Sequence, residues 1–332
     1  MKIKRITRPP IRRRRDAGVP KSTITRTAPS ITSIVWDKLT WLNIEQPTEM
    51  ETGYLAEHYP FHPLDLDDCL SRIQLPKIDE YEDYLFMVFH FPVFNPQARV
   101  TTPSQVSIFV GEDYLITLHQ GDLKPLVSLF RSCQTNEKAR EESMGRSSGY
   151  LLYLVLDRLV NYCFPILNKI GDNIEAVEDH IFGENPKGTV ADVALLRRDI
   201  ISFRRIIRPQ TEAAELLEQK EWPILKEDPD VYFGDIADHL RKIRDTLDDH
   251  KEVVEGLSDT NNTLTSFRTN EVIRVLTIIA TIMLPLTLVA SILGMNIYPM
   301  PVESPAAFAG LMAAMVGIIA GMLAFFRSRR WI

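Results

Sequence analysis

Cysteine is scarce in this chain. Cys69, Cys133 and Cys163 are the only three in 332 residues, too far apart for a CxxC pair or a readable disulfide framework, which suits a reducing compartment. No GxxxxGK[ST] stretch is present, so a P-loop nucleotide motor is not expected. HExxH is missing as well, and although His58 and His62 stand four apart, Pro60 between them spoils a shared helical face. Ser291 has no His/Asp partner readable from the sequence, leaving no basis for nucleophilic catalysis, and neither enzymatic activity nor an organic cofactor is expected. Residues 1–30 hold the charged stretch Arg12–Arg15 but no apolar segment after it, so they do not read as a secretory signal. They are expected to form a disordered basic arm. Charge itself is missing from Val275 to Val302.

What is present is unevenly spread. Residues 1–30 carry ten Lys/Arg and one acid, residues 31–270 carry 24 Lys/Arg against 41 Asp/Glu, and residues 271–332 carry four against two. A basic arm, an acidic body and a nearly uncharged end do not describe a plain soluble enzyme. Residues 275–293 are apolar apart from hydroxyls and Pro285, long enough to cross ~30 Å of hydrocarbon. A second uncharged run, 304–326, is rich in Ala, Gly and Met and stops at Arg327, Arg329 and Arg330, followed by Trp331. Two transmembrane helices are expected. Arg268 and Arg274 flank the first and the C-terminal arginines flank the second, whereas the connecting loop carries only Glu303, so the body and both termini are placed in the cytoplasm.

The body divides at about Ser148. Before it, alternating and aromatic-rich runs predict strands over 33–43, 84–94, 105–110 and 114–120, the last two joined by a turn at Gly111-Glu112-Asp113, with helix over most of 49–72 around a break at Pro60–Pro63. After it, helices are predicted over 150–182 and 190–221, then a very long one from near Val231. In that helix Ile236, Ile243, His250, Leu257 and Leu264 alternate with Leu240, Leu247, Val254, Asn261 and Arg268 at heptad spacing, a seam that predicts association with copies of itself. The expected organisation is a 1–30 basic arm, a 31–147 α/β domain, a 148–222 helical hairpin, a 228–293 stalk helix running into the first span, a 294–305 outer loop, a 306–326 second span and a 327–332 basic tail. The fold class is an α+β cytoplasmic domain with a long helical stalk and two transmembrane helices.

The first span, with Pro285-Leu286-Thr287 inside it and Gly294-Met295-Asn296 at its end, followed by a short loop, a second span and a basic cluster, resembles the CorA-type divalent-metal transport family. The resemblance covers roughly residues 33–332 and extends to His62-Pro63-Leu64 with Asp67-Asp68 and to Tyr232-Phe233-Gly234-Asp235. It implies a homopentameric, funnel-shaped channel in a prokaryotic plasma membrane, with the pore lined by the first span. Gly294, Met295 and Asn296 would form the selectivity filter at the outer mouth. Mg²⁺ dehydrates reluctantly, so neutral amides that hydrogen-bond its waters can select the hydrated ion. The inner path would pass a polar ring at Asn270, a hydrophobic constriction at Ile273 and Leu276, where the family often has Met in place of Ile273, and a hydroxyl ring at Thr287.

The resemblance also assigns Asp68 and Asp235 to an intersubunit regulatory metal site and Asp259 to a further acidic position on the stalk. Bound Mg²⁺ would bridge the repelling carboxylates and hold the closed state. The implied activity is potential-driven Mg²⁺ uptake, with Co²⁺ and Ni²⁺ as further cargo, and the partners are lipid, divalent cations and copies of the chain, with no nucleic acid. Two alternatives stand beside it. One is a zinc-selective or proton-coupled transporter of the same fold, since many magnesium-type members have an acid directly after Met-Pro whereas Val302 intervenes here before Glu303. The other is a membrane-anchored scaffold or sensor without transport.

Overall fold

The computed structural model describes residues 29–71, 74–95, 100–183, 189–295 and 304–331. Nearly all of the predicted basic arm, and Asn296 with most of the outer loop, lie outside the described residues. Contacts divide the chain into two compact units: the first runs to Phe91 and takes in Ser104–Leu159 and Glu215–Gly234, and the second holds Pro92–Pro103, Val160–Ala214 and Asp235 onward.

The first unit is built on a six-stranded sheet. In chain order its strands are β1 (Ile31–Trp36), β2 (Leu39–Glu45), β3 (Lys77–Glu80), β4 (Leu85–Asn95), β5 (Val100–Val110) and β6 (Tyr114–His119), arranged β1-β2-β6-β5-β4-β3. The single strand predicted over 33–43 is two. Asp37 turns the chain with a positive φ of 51°, and β1 folds back on β2 as an antiparallel pair. The β5–β6 hairpin forms as predicted, antiparallel about Gly111, while β2 and β6 run parallel. Every residue of β4 from Leu85 to Phe91 is buried, which requires cover on both faces. Leu55 from α1 (Glu49–His58) and Leu66 and Cys69 from α2 (Pro63–Leu70) pack with Phe61, Phe86, Phe109 and Ile116 in one core. Trp41 of β2 meets Phe130 of α3 (Lys124–Thr135) edge to face, ring centres 4.9 Å apart. The sequence reading missed α3, α4 (Glu137–Met144) and the short β3.

A buried polar chain crosses this core. Trp41 Nε1 donates to Thr117 Oγ1 at 3.2 Å, Thr117 donates to Asn43 Oδ1 at 2.8 Å, and His119 Nε2 bonds the same oxygen at 3.0 Å. His119 Nδ1 accepts from the Gly121 amide, so the proton sits on Nε2. Burial pushes the His119 imidazole down to about 4, with Asp122 opposing only in part. A histidine whose folded value lies below its unfolded ~6.5 adds stability that is complete above that value and is lost as pH falls toward 4. The melting temperature of the purified full-length chain is therefore expected to drop between pH 6.5 and 4, by the equivalent of up to about 3 kcal/mol, and His119→Gln is expected to flatten that slope. An unchanged slope in the variant would assign the pH dependence to other groups.

Helix dominates the second unit. The helix predicted over 150–182 is parted at Tyr162 into α5 (Ser148–Asn161), nearly all of which belongs to the first unit, and α6 (Cys163–Phe182), followed by α7 (Thr189–Gln219), α8 (Pro229–Leu293) and α9 (Pro305–Ser328). Leu167, Ile170, Ile174, Val177 and Ile181 form the buried stripe of α6, and Val193, Leu196, Ile200, Phe203 and Ile207 that of α7. Between them runs the predicted seam of α8, with Ile236, Leu240, Ile243, Leu247, Val254, Leu257 and Asn261 all buried within this one chain. Arg204 pairs with Asp248, Arg197 Nη2 lies 3.7 Å from Glu255 Oε1, and Phe164 meets His239 edge to face, so α6 and α7 cover the seam. That corrects the expectation that the seam serves copies of the chain. Of its polar members, His250 is half-buried beside Gly171, Asn261 is buried and Arg268 is exposed.

Candidate ion path and metal-sensing carboxylates

Helix α8 runs 65 residues without a break, ~98 Å at 1.5 Å per residue. Past Asn261 its environment changes: Phe267, Ile273, Leu276, Met283, Leu284 and Ile292 are each more than half exposed. Among the described residues, three helical stretches are long and apolar enough to cross a membrane. The chain itself buries 44% of the apolar window in Ser148–Phe182, but 6% of that in α8 and none of that in α9. The first is a core element, whereas the other two present their apolar faces to something outside the chain. Thr277, Thr281 and Thr287 donate their hydroxyls to the carbonyls four residues back, at 2.7, 2.7 and 2.8 Å, which satisfies the hydroxyl protons inside an apolar phase. Thr287 Oγ1 keeps lone pairs free to accept. Near the basic end, α9 lies beside α8, where Thr277 and Thr281 share a cavity of about 360 Å³ with Met322, Phe326 and Trp331.

At 100° per residue, Ile273, Leu276 and Thr287 fall within an arc of about 60° on α8. The structure thus brings three predicted path residues to one face, and all three are exposed. Asn270, also exposed, stands about 60° outside that arc. Gly294 closes the last turn, its amide donating to Ala290 O at 2.9 Å, and a Cβ there would lie 3.3 Å from that oxygen. Met295 follows, 53% exposed.

Asp68 is positioned by α2, and α2 by its capping chemistry. Pro63 opens the helix, His62 Nδ1 accepts from the Leu64 amide at 3.3 Å, and the His62 amide donates to the Tyr84 hydroxyl at 2.8 Å. Tyr84 and Tyr81 donate in turn to the buried Asp65 carboxylate at 3.0 and 3.3 Å. Burial raises the Asp65 carboxyl above its ordinary value, against those hydrogen bonds. Asp65→Asn keeps an oxygen for the Tyr84 hydroxyl and turns an NH2 donor to the oxygen of Tyr81, so it is expected to lower the melting temperature only slightly. Asp65→Leu strands both hydroxyls and is expected to cost about 1–3 kcal/mol for each unpaired group, read as a fall in melting temperature. Equal melting of the two variants would remove Asp65 from the support of α2.

The Asp68 carboxylate is already occupied. Lys77 Nζ lies 2.7 Å from its Oδ2 and Gln74 Nε2 2.6 Å from its Oδ1, with the Asp68 side chain 19% exposed. Lys77 also bonds Asp79; although burial pulls its ammonium down, those two carboxylates carry it above the ordinary lysine range. The sequence reading did not single out Lys77, although an acid-flanked lysine nine residues after Asp68 was the available signal. Asp235 lies on α8 with His239 Nε2 3.8 Å away, one turn on. Asp259 is exposed two dozen residues further along the same helix, ~36 Å away, so these two cannot share one ion.

Residues 36–330 match the family model described as "CorA-like Mg2+ transporter protein". The cobalt/magnesium transport protein CorA of Thermotoga maritima is 31% identical over 300 residues, covering 88% of this chain and 83% of that protein. The zinc transport protein ZntB of Yersinia enterocolitica is 20% identical, with 88% of each chain covered. In fold, the CorA magnesium transporter from Methanocaldococcus jannaschii superposes with a TM-score of 0.77 at 24% identity, over 90% of this chain and 94% of that one. With a family match over nearly its whole length, a sheet-bearing unit, one long helix with a bare apolar end and a second bare apolar helix, the chain belongs to the CorA family of divalent metal transporters and is not an enzyme.

Proposed function

We propose that the protein carries Mg²⁺, with Co²⁺ and Ni²⁺ as secondary cargo, passively into a prokaryotic cell through a homopentamer in the plasma membrane. The observation that carries this reading is the alignment of Ile273, Leu276 and Thr287 on one exposed face of α8. Copies packed around that face would enclose a path of aliphatic and hydroxyl rings. Asn270 would stand at its cytoplasmic mouth and Gly294-Met295-Asn296 at its outer one, with the N- and C-termini inside the cell. Two positive charges moving inward gain ~4.6 kcal/mol per 100 mV, at ~2.3 kcal/mol per charge, so no nucleotide is needed. Oxygen-bearing amides and hydroxyls suit a hydrated hard cation, whereas zinc sites favour His and Cys.

Closure would follow internal Mg²⁺ bridging Asp68 and Asp235 between copies, with Asp259 as a separate acidic position. A zinc-selective or proton-coupled transporter is the second reading, favoured by Val302 displacing the loop acid to Glu303. Purified protein in liposomes with an inside-negative K⁺ diffusion potential tests both. Potential-driven Mg²⁺ entry that fades as internal Mg²⁺ rises is expected. Zn²⁺ entry that follows a proton gradient, with little Mg²⁺, would overturn the ion and the mechanism, and no flux of either would leave the anchored sensor.

A further inference from the structure

Helix α8 starts in one unit and continues in the other. Its foot, as far as Gly234, belongs with the sheet-bearing unit, and from Asp235 onward it belongs with the helical one. Asp68 lies in the first unit, whereas Ile273, Leu276 and Thr287 lie in the second. The foot is thus a covalent link by which a change in the first unit reaches the path helix.

The foot is held to the start of α5 by contacts that lie wholly inside the first unit. The Tyr232 ring meets Tyr150 and Tyr153 edge to face, with centres 5.9 and 5.1 Å away. Arg146 lies over the Tyr150 ring at 4.4 Å and donates to the Tyr232 hydroxyl at 3.4 Å. Just before α8, Glu227 Oε1 accepts from the Ser147 hydroxyl, which itself accepts from the Tyr150 amide at 3.0 Å and so caps α5. Glu227 is also the weak point of this clamp. Its Oε2 is buried and has no hydrogen-bond partner among the described residues. An oxygen in that condition carries a desolvation penalty that release into water removes. The carboxylate fits there only because residue 149 is glycine, since a Cβ at Gly149 would collide with Oε2. Favourable at one oxygen and unfavourable at the other, the contact can be switched by a small bias.

We propose that Glu227 and Tyr232 are positioning residues for feedback, their grip on α5 carrying the metal state of the first unit into α8. The proposal rests on the internal Mg²⁺ feedback put forward above and adds the place where it takes hold of the path helix. Mg²⁺ uptake into liposomes at graded internal Mg²⁺ tests it. Gly149→Ala displaces only the end of a flexible side chain, and alanine suits a helix better than glycine, so this variant is expected to keep its melting temperature. Its peak rate at low internal Mg²⁺ is expected to match the parent, while the half-inhibiting concentration rises about tenfold. Glu227→Ala is expected to do the same, and the double variant no more than either, because both remove one contact. Glu227→Gln still accepts from Ser147 and is expected to stay at the parent value. A parent protein whose uptake ignores internal Mg²⁺ would overturn the feedback reading and the clamp with it. An inhibited parent, with Gly149→Ala and Glu227→Ala inhibited at the same concentration, would overturn the clamp alone. A lower peak rate at an unchanged midpoint would likewise overturn it, reducing these residues to support of the fold.

Discussion

Mg²⁺ entry into liposomes is expected to fall about a hundredfold when Asn296 is replaced by Ala, with the oligomer still intact on size exclusion. The reason lies in the hydration of the ion. Mg²⁺ holds its waters tightly, and those waters are strong donors that a ring of amide carbonyls can accept from. Each such bond contributes roughly 1 kcal/mol net, more when charge assists it, so losing two or three removes about 3 kcal/mol, near a hundredfold. Alanine leaves the mouth open but offers nothing to the hydrated ion. An Asn296→Ala chain carrying Mg²⁺ at the parent rate would end the selectivity-ring assignment and shift attention to the hydroxyl ring at Thr287.

The second large effect concerns feedback. Inhibition by internal Mg²⁺ is expected to set in at about tenfold lower concentration in Lys77→Gln and to disappear in Asp68→Asn. In the structure the Lys77 ammonium stands where a divalent ion would have to bind, 2.7 Å from the Asp68 carboxylate. A metal must displace that tethered charge or share the carboxylate with it. With both side chains under one-third exposed, the competition is worth more than in open water, and about 1.4 kcal/mol gives the tenfold shift. Glutamine keeps a stem and a donor for the Asp79 side while removing the charge. The two changes share one site, so Lys77→Gln is expected to have no effect on inhibition in an Asp68→Asn background. A Lys77→Gln shift that persists there would separate the lysine from metal sensing, and unchanged inhibition in all three proteins would remove Asp68 from the sensor.

Much of the architecture was legible from residue spacing. The uncharged runs ending at Leu293 and Phe326 marked α8 and α9, and the absence of proline between Val231 and Leu284 marked the unbroken stalk. Gly111-Glu112-Asp113 between two alternating runs marked the β5–β6 hairpin. The β1–β2 turn escaped because hydrophobic alternation continues through it, and only the positive φ at Asp37 reveals the reversal. Helix α4 escaped for the opposite reason. Its sequence is nearly all polar, so no apolar stripe announces it, and the signal was Asn136, whose side chain caps Lys138 and Ala139.

Of the candidate site, the resemblance supplied the positions and the fold supplied their surroundings. That Ile236 through Leu257 form a buried stripe follows from heptad spacing, a local property of the chain. Which surface buries that stripe does not, because any apolar face of the right period can fill it, and here α6 and α7 of the same chain do so. The sequence alone determined the long helix, its bare apolar end, the second apolar helix and the charge asymmetry, all set by composition within a few turns. Only the tertiary structure decided that Lys77 occupies the Asp68 carboxylate, and that Arg204 and Arg197 of α7 pair with Asp248 and Glu255 across the stalk seam. Such pairings depend on contacts between segments distant in sequence, which spacing along one segment does not encode.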